Sequence, residues 1–161
     1  MDPRAAELIQ ILRLQPHPEG GHFRELFRST SRVRPGDGRA ERDAVTTIYF
    51  LLTKGQHSRW HRVLSDEVWH LYEGGPLELF VAPPAGDAIA RVELSVARGE
   101  AGPVHVVPAG SWQAARPRGA YALAGCTVAP GFEFVDFAFL EDDPVALARL
   151  TRVDARARDL V

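Results

Sequence analysis

The sequence predicts an all-β domain, a single sandwich or small barrel, with one helix at each end. Three observations carry that expectation. From residue 22 onward the apolar runs are short and rich in Val, Phe, Tyr and Leu. Clusters containing Gly and Pro separate these runs, as many antiparallel strands require. An Asp-Pro pair opens each of two flanking stretches, at Asp2-Pro3 and Asp143-Pro144.

The first helix starts at Asp2, whose carboxylate can accept orphan amide hydrogens, while the fixed φ of Pro3 suits the first turn. Ala5, Leu8, Ile9 and Leu12 share one face, and the helix ends before Pro16, which pushes its predecessor out of the α region. The pair Gly20-Gly21 then permits a positive-φ bend into the first strand.

The expected strands are HFRELFRS, TTIYFLL, SRWHRVL, EVWHLYE, LELFVA, RVELSV, VHVVP, AYALAGCTV and FEFVDFAFL. Between them RPGDG, KGQ, EGGP, PPAGD, RGEAGP and APG supply turn residues. PAGSW is a further turn, leading into a strand that carries Gln113. A short helix containing Val145, Leu147, Ala148 and Leu150 follows, and DARARDLV reads as a charged tail. No repeat of fixed period and no internal linker interrupts the chain, so residues 1–161 read as one domain.

Composition narrows the function. Nineteen Lys and Arg residues nearly balance 21 Asp and Glu residues and are scattered, so no cationic face is expected for nucleic acid or an anionic membrane. The N-terminus lacks the basic-then-apolar pattern of a signal peptide, and no apolar run approaches membrane-spanning length. The reading is a cytoplasmic protein with a small-molecule partner. Cys126, the single cysteine, reads as a small buried apolar residue.

The stretch GQHSRWHRVLSDEVWHLYEGG concentrates three histidines and three acids. His57 and His61 have the i, i+4 spacing of a helical zinc-protease motif, but Ser58 stands where that motif needs glutamate. As a strand, alternation places His57, Arg59, His61 and Val63 on one face and Ser58, Trp60 and Arg62 on the other. Glu67, Trp69 and Leu71 share a face of the next strand, away from His70, so His61 and Glu67 can converge across a hairpin.

The spacing Gly55, His61, Val63, Glu67, Gly74 resembles the first cupin motif, and Gly102, Pro108, Ala109, Gly110, Gln113 resembles the second. With LQPHPEGGHFREL, GSWQAARP and CTVAPGFEFVDFAFL, the chain is similar to the small, functionally uncharacterised branch called cupin family five over residues 8 to 150. The resemblance implies a double-stranded β-helix, the cupin jelly roll also found in deoxythymidine-diphosphate-sugar 3,5-epimerases, and a homodimer. Cupin metal sites use three histidines and a glutamate. Here Val63 and Gln113 replace two of those histidines, leaving His61, Glu67 and Gln113 as a weak set for manganese, iron or zinc.

Three functions follow from these residues. In an isomerase or epimerase, His61 would be the base, Glu67 would orient it, and Tyr49 or Tyr121 would return a proton, unless those phenols only pack in the core. In a metal-dependent dioxygenase or hydrolase, His61, Glu67 and Gln113 would hold the ion. In a non-catalytic binder, Trp60 and Trp69 would stack on the ligand, Gln113 would hydrogen-bond it, and Glu19 and Arg24 would reach the rim.

Overall fold

In a computed structural model that describes residues 1–96 and 102–161, the expected jelly roll is observed. Helix α1 (Pro3–Ile11) is followed by β1 (Gln15–Pro16), β2 (His22–Arg28), β3 (Arg32–Val33), β4 (Arg42–Asp43) and β5 (Thr46–Thr53). Next come β6 (Ser58–Val63), β7 (Asp66–Gly74), β8 (Leu77–Ala82), β9 (Ala90–Leu94), β10 (Val104–Val107), β11 (Trp112–Pro117) and β12 (Tyr121–Ala129). The chain closes with β13 (Phe137–Phe139) and α2 (Pro144–Val153). No described helix is long and apolar enough to cross a membrane. The RGEAGP turn expected from the sequence falls largely on residues 97–101, outside the described residues.

Two sheets face each other. One has the order β1-β2-β5-β12-β7-β10 and the other β13-β6-β11-β8-β9, while β3 and β4 form a separate ribbon. Between the sheets lie Phe50, Leu52, Trp69, Leu71, Leu77 and Leu79, all buried, as alternation along half-buried strands requires. Both helices pack on outer faces. Helix α1 sets Ala5 and Leu8 against Leu51 and Leu123 of the six-stranded sheet. Helix α2 sets Ala146 and Leu150 against Trp60, Phe80 and Trp112 of the five-stranded sheet.

Both helices begin as the Asp-Pro pairs predict: Asp2 accepts from the amides of Arg4 and Ala5, and Asp143 from that of Ala146. Two expectations are corrected. Only the second half of FEFVDFAFL is a strand; Phe134–Asp136 form a 3-10 turn in which buried Asp136 accepts from Arg39 at 2.9 Å and also pairs with Arg42. The charged tail is also ordered as a 3-10 segment, Ala155–Leu160, because Ala157 and Leu160 complete the apolar layer under α2.

Candidate functional site

A cavity of about 140 Å³ opens at one end of the barrel, between the two sheets. His61 reaches it from β6, and Glu67 from β7 of the opposite sheet. Both side chains are buried. The Gly20-Gly21 bend delivers a third group, Glu19, into the same place. Gly20 has φ +114° and Gly21 φ +68°, and a Cβ on Gly21 would stand 2.5 Å from the carbonyl of Leu51. Only glycine lets this turn press against β5 and β6 closely enough to bury Glu19.

The carboxylate that holds His61 is therefore Glu19. Its Oε2 lies 2.8 Å from His61 Nδ1 and accepts from the Ser58 hydroxyl at 2.5 Å. The Arg59 carbonyl is 2.7 Å from the same Nδ1. Because carboxylate and carbonyl can only accept, the Nδ1 proton stays in both charge states, and Nε2 is the nitrogen that gains or loses one. The His61 ring stacks on Phe137, centroids 5.3 Å apart and planes 17° from parallel.

Ser58 reaches Glu19 because β6 is bulged. Gln113 pairs with His61 while Ala115 pairs with Ser58, two steps on β11 against three on β6. The extra residue brings Ser58 to the inner face with His61, where strict alternation had put it on the other side. Ser58 and His17 are the polar site residues that sequence reasoning missed; Nδ1 of His17 lies 3.2 Å from Glu19 Oε1. A histidine two residues before the buried acid, in a glycine-forced turn, was the available signal.

The charges follow from this geometry. Burial penalises the imidazolium of His61, but the charge and hydrogen bond of Glu19 outweigh it and raise its pKa to about 9. Burial likewise opposes ionisation of Glu19, and the charge of His61 overrides it, bringing Glu19 down to about 2. Glu67 moves the other way. Its burial raises its pKa against the attraction of His61, and the charge of Glu19 adds to the rise. At neutral pH the site thus holds an imidazolium-carboxylate pair beside a carboxyl of strengthened basicity.

Gln113 sits behind Glu67. Its Nε2 donates to Glu67 Oε2 at 2.6 Å, and its Oε1 accepts from the Trp69 indole at 2.9 Å. Since an indole nitrogen only donates, the amide can face only one way, with its oxygen turned from the carboxylate. This bears directly on a metal. A ligand amide must offer its oxygen to the ion, and Gln113 offers Glu67 its NH₂ group instead. Among the described residues no three His, Cys, Asp or Glu side chains are gathered to hold an ion. The His61, Glu67 and Gln113 set does not fit a divalent cation in this arrangement.

The remaining expected residues lie elsewhere. Tyr49 and Tyr121 are on the outer face of the six-stranded sheet, packed with the α1 cluster, and the Tyr121 hydroxyl donates to Glu73 at 2.7 Å. Arg24 is cross-strand from Tyr49 on that face, its guanidinium 5.8 Å from the ring centroid. Trp60 and Trp112 lie under α2, and Trp69 is in the inter-sheet core. The aromatic wall of the cavity is instead Phe23, Phe132, Phe134 and Phe137. Cys126 also lines it, with its thiol pushed up by burial and by the nearby Glu67 and Glu19 charges.

Comparisons with known proteins agree with the fold. The family model described as Cupin superfamily (DUF985) matches residues 6–140. The uncharacterized protein YML079W of Saccharomyces cerevisiae is 29% identical over 153 residues, covering 85% of this chain and 75% of that protein. The solved structure of protein SO0799 from Shewanella oneidensis is 30% identical, with a TM-score of 0.84 over 97% of this chain and 96% of that one. A hypothetical protein from Leishmania major is 34% identical, with a TM-score of 0.78 over 92% of this chain and 97% of that one. With its jelly roll, both spaced motifs and a family match over most of its length, this chain belongs to the DUF985 family of the cupin superfamily.

Proposed function

We propose that the cavity binds a small carbonyl compound and moves a proton beside the carbonyl group, in an isomerase or epimerase type of reaction. The observation that supports this best is the placement of His61 and Glu67 at one cavity from opposite sheets, with His61 Nδ1 already committed to Glu19. Glu67, as carboxylate, takes the proton from the carbon next to the carbonyl. His61 donates its Nε2 proton to the carbonyl oxygen, so an enol forms without a free enolate. When the enol collapses, its oxygen returns that proton to His61 and a substrate carbon regains one from Glu67.

His61 is thus the acid, because a group that titrates near 9 is protonated at neutral pH. Glu67 is the base, and Glu19 orients and charges the imidazole. The test is proton exchange in D₂O, followed by NMR with phenylacetone, 2-phenylpropanal and hydroxyacetone as probes. Deuterium should enter the α position of at least one probe faster with the wild-type protein than with Glu67→Gln or His61→Asn. Equal rates for all three proteins with every probe would overturn the reading.

A further inference from the structure

Most polar atoms of the cavity are already paired within the protein. Glu19 is held by His61 and Ser58, while Nδ1 of His17 accepts from the Glu19 amide at 3.2 Å. The Thr46 hydroxyl accepts from the Phe132 amide at 3.0 Å. At the mouth Arg28 is 2.8 Å from Glu25 and 3.5 Å from Glu133. Among the described residues this leaves, deep in the cavity, the Nε2 edge of His61, the imidazole edge of His17, the Cys126 thiol and the carboxyl of Glu67, whose Oε2 already accepts from Gln113. The rest of its interior is Phe23, Ile48, Val63, Val128, Phe132 and Phe137.

Size adds a limit. A free volume of about 140 Å³ is close to the roughly 150 Å³ of an engineered apolar cavity that takes up benzene. A sugar ring of that size would bury several hydroxyls against phenylalanine and valine, with more hydroxyls than the few polar groups there can bond, and each unpaired one weakens binding. A phosphate or diphosphate would meet two carboxylates at the mouth and one guanidinium that they already neutralise.

We infer that the ligand is an uncharged carbonyl compound whose body is a single aromatic ring or an equally compact apolar group, and not a sugar or a nucleotide sugar. The inference rests on reading the cavity as the His61 and Glu67 site and names the substrate class for it. The carbonyl oxygen takes the Nε2 edge of His61, and the apolar body lies against Phe132, Phe137, Ile48 and Val128.

Calorimetric titration tests this, with phenylacetone, hydroxyacetone, glucose and thymidine diphosphate as probes. Phenylacetone should bind at least about tenfold more tightly than hydroxyacetone, which offers the same carbonyl without the ring. Glucose and thymidine diphosphate should give no saturable heat. Ile48→Phe and Val128→Phe, each filling the cavity from a different strand, should weaken phenylacetone by a similar factor; whichever folds suffices. Ring-independent affinity, saturable binding of glucose or thymidine diphosphate, or unaltered binding by a folded cavity-filling variant would each overturn the inference. Should neither variant fold, the ratio of phenylacetone to hydroxyacetone decides. Phenylacetone binding without deuterium exchange would sink the proton-transfer reading and leave the ligand class standing.

Discussion

Glu19 and His61 meet through Oε2 and Nδ1 at 2.8 Å, although the first sits in a turn before β2 and the second in the middle of β6. Both are buried, so each sets the charge state of the other.

Removing the charge of Glu19 should therefore release His61. In Glu19→Gln the imidazole should titrate well below 9, because burial is then opposed only by the Glu67 charge and the Arg59 carbonyl. NMR titration of the ring nitrogens reads this directly. A His61 pKa unchanged by the substitution would show that Glu19 does not govern it.

The same pair predicts how stability depends on pH. His61 is raised from 6.5 to about 9, so its contribution is complete below pH 6.5 and is lost as pH climbs through 9. Glu19 is lowered from 4.5 to about 2, so its contribution is complete above pH 4.5 and is lost as pH falls toward 2. Glu67, raised by burial, adds a loss that begins above pH 4.5. Denaturant unfolding should show the protein more stable at pH 6 than at pH 9.5, by on the order of a few kcal/mol. In Glu19→Gln that difference should shrink markedly.

Gln113→Leu should destabilise the fold by about 2–4 kcal/mol, since it strands both the Trp69 indole N–H and the Glu67 carboxyl. The midpoint of urea unfolding measures it. Gln113→Glu should cost at least as much, because a second carboxylate would face Glu67. A near-neutral result for both would mean that the amide bridge contributes little.

Metal affinity should be recoverable. Val63 lines the cavity beside His61, and Gln113 pairs directly with His61 across β6 and β11. The double variant Val63→His with Gln113→His restores three imidazoles around Glu67 and should bind Zn²⁺ or Mn²⁺ near one ion per chain. The wild-type protein should retain much less under the same dialysis. Elemental analysis of both preparations decides, and equal metal content would contradict the argument from the Gln113 amide.

Gly20→Ala should be destabilising by roughly 1–3 kcal/mol or more, since a Cβ there runs into the His57 carbonyl and φ is +114°. If the turn moves, Glu19 leaves His61, so the His61 titration should fall along with the melting temperature. A loss of stability with an unmoved His61 pKa would separate the turn from the site.

Much of this was legible in the chain. Short β-rich runs broken by Gly and Pro are enough for an all-β domain, since half-buried strands and tight turns have local chemical requirements. The Asp-Pro pairs located both helix starts for the same reason. Motif spacing brought His61 and Glu67 to one cavity and placed Gln113 next to them.

What the tertiary structure decided is which partners those residues meet. Alternation tells which side chains share a strand face, but not which face becomes the interior, and so Tyr49, Tyr121 and Arg24 came to lie outside the barrel, with Trp60 and Trp112 under α2. A single extra residue in β6 reversed the parity of Ser58, which no local pattern announces. Closure of one sheet over the other then brought Glu19 against His61, and the charge of that carboxylate raised the pKa of His61 against the penalty of burial. The sequence by itself determined most strands and turns and the spacing of His61, Glu67 and Gln113, because these depend on neighbours along the chain. Their charge states depend on groups distant in sequence and on exclusion of water, which exist only once the barrel has closed.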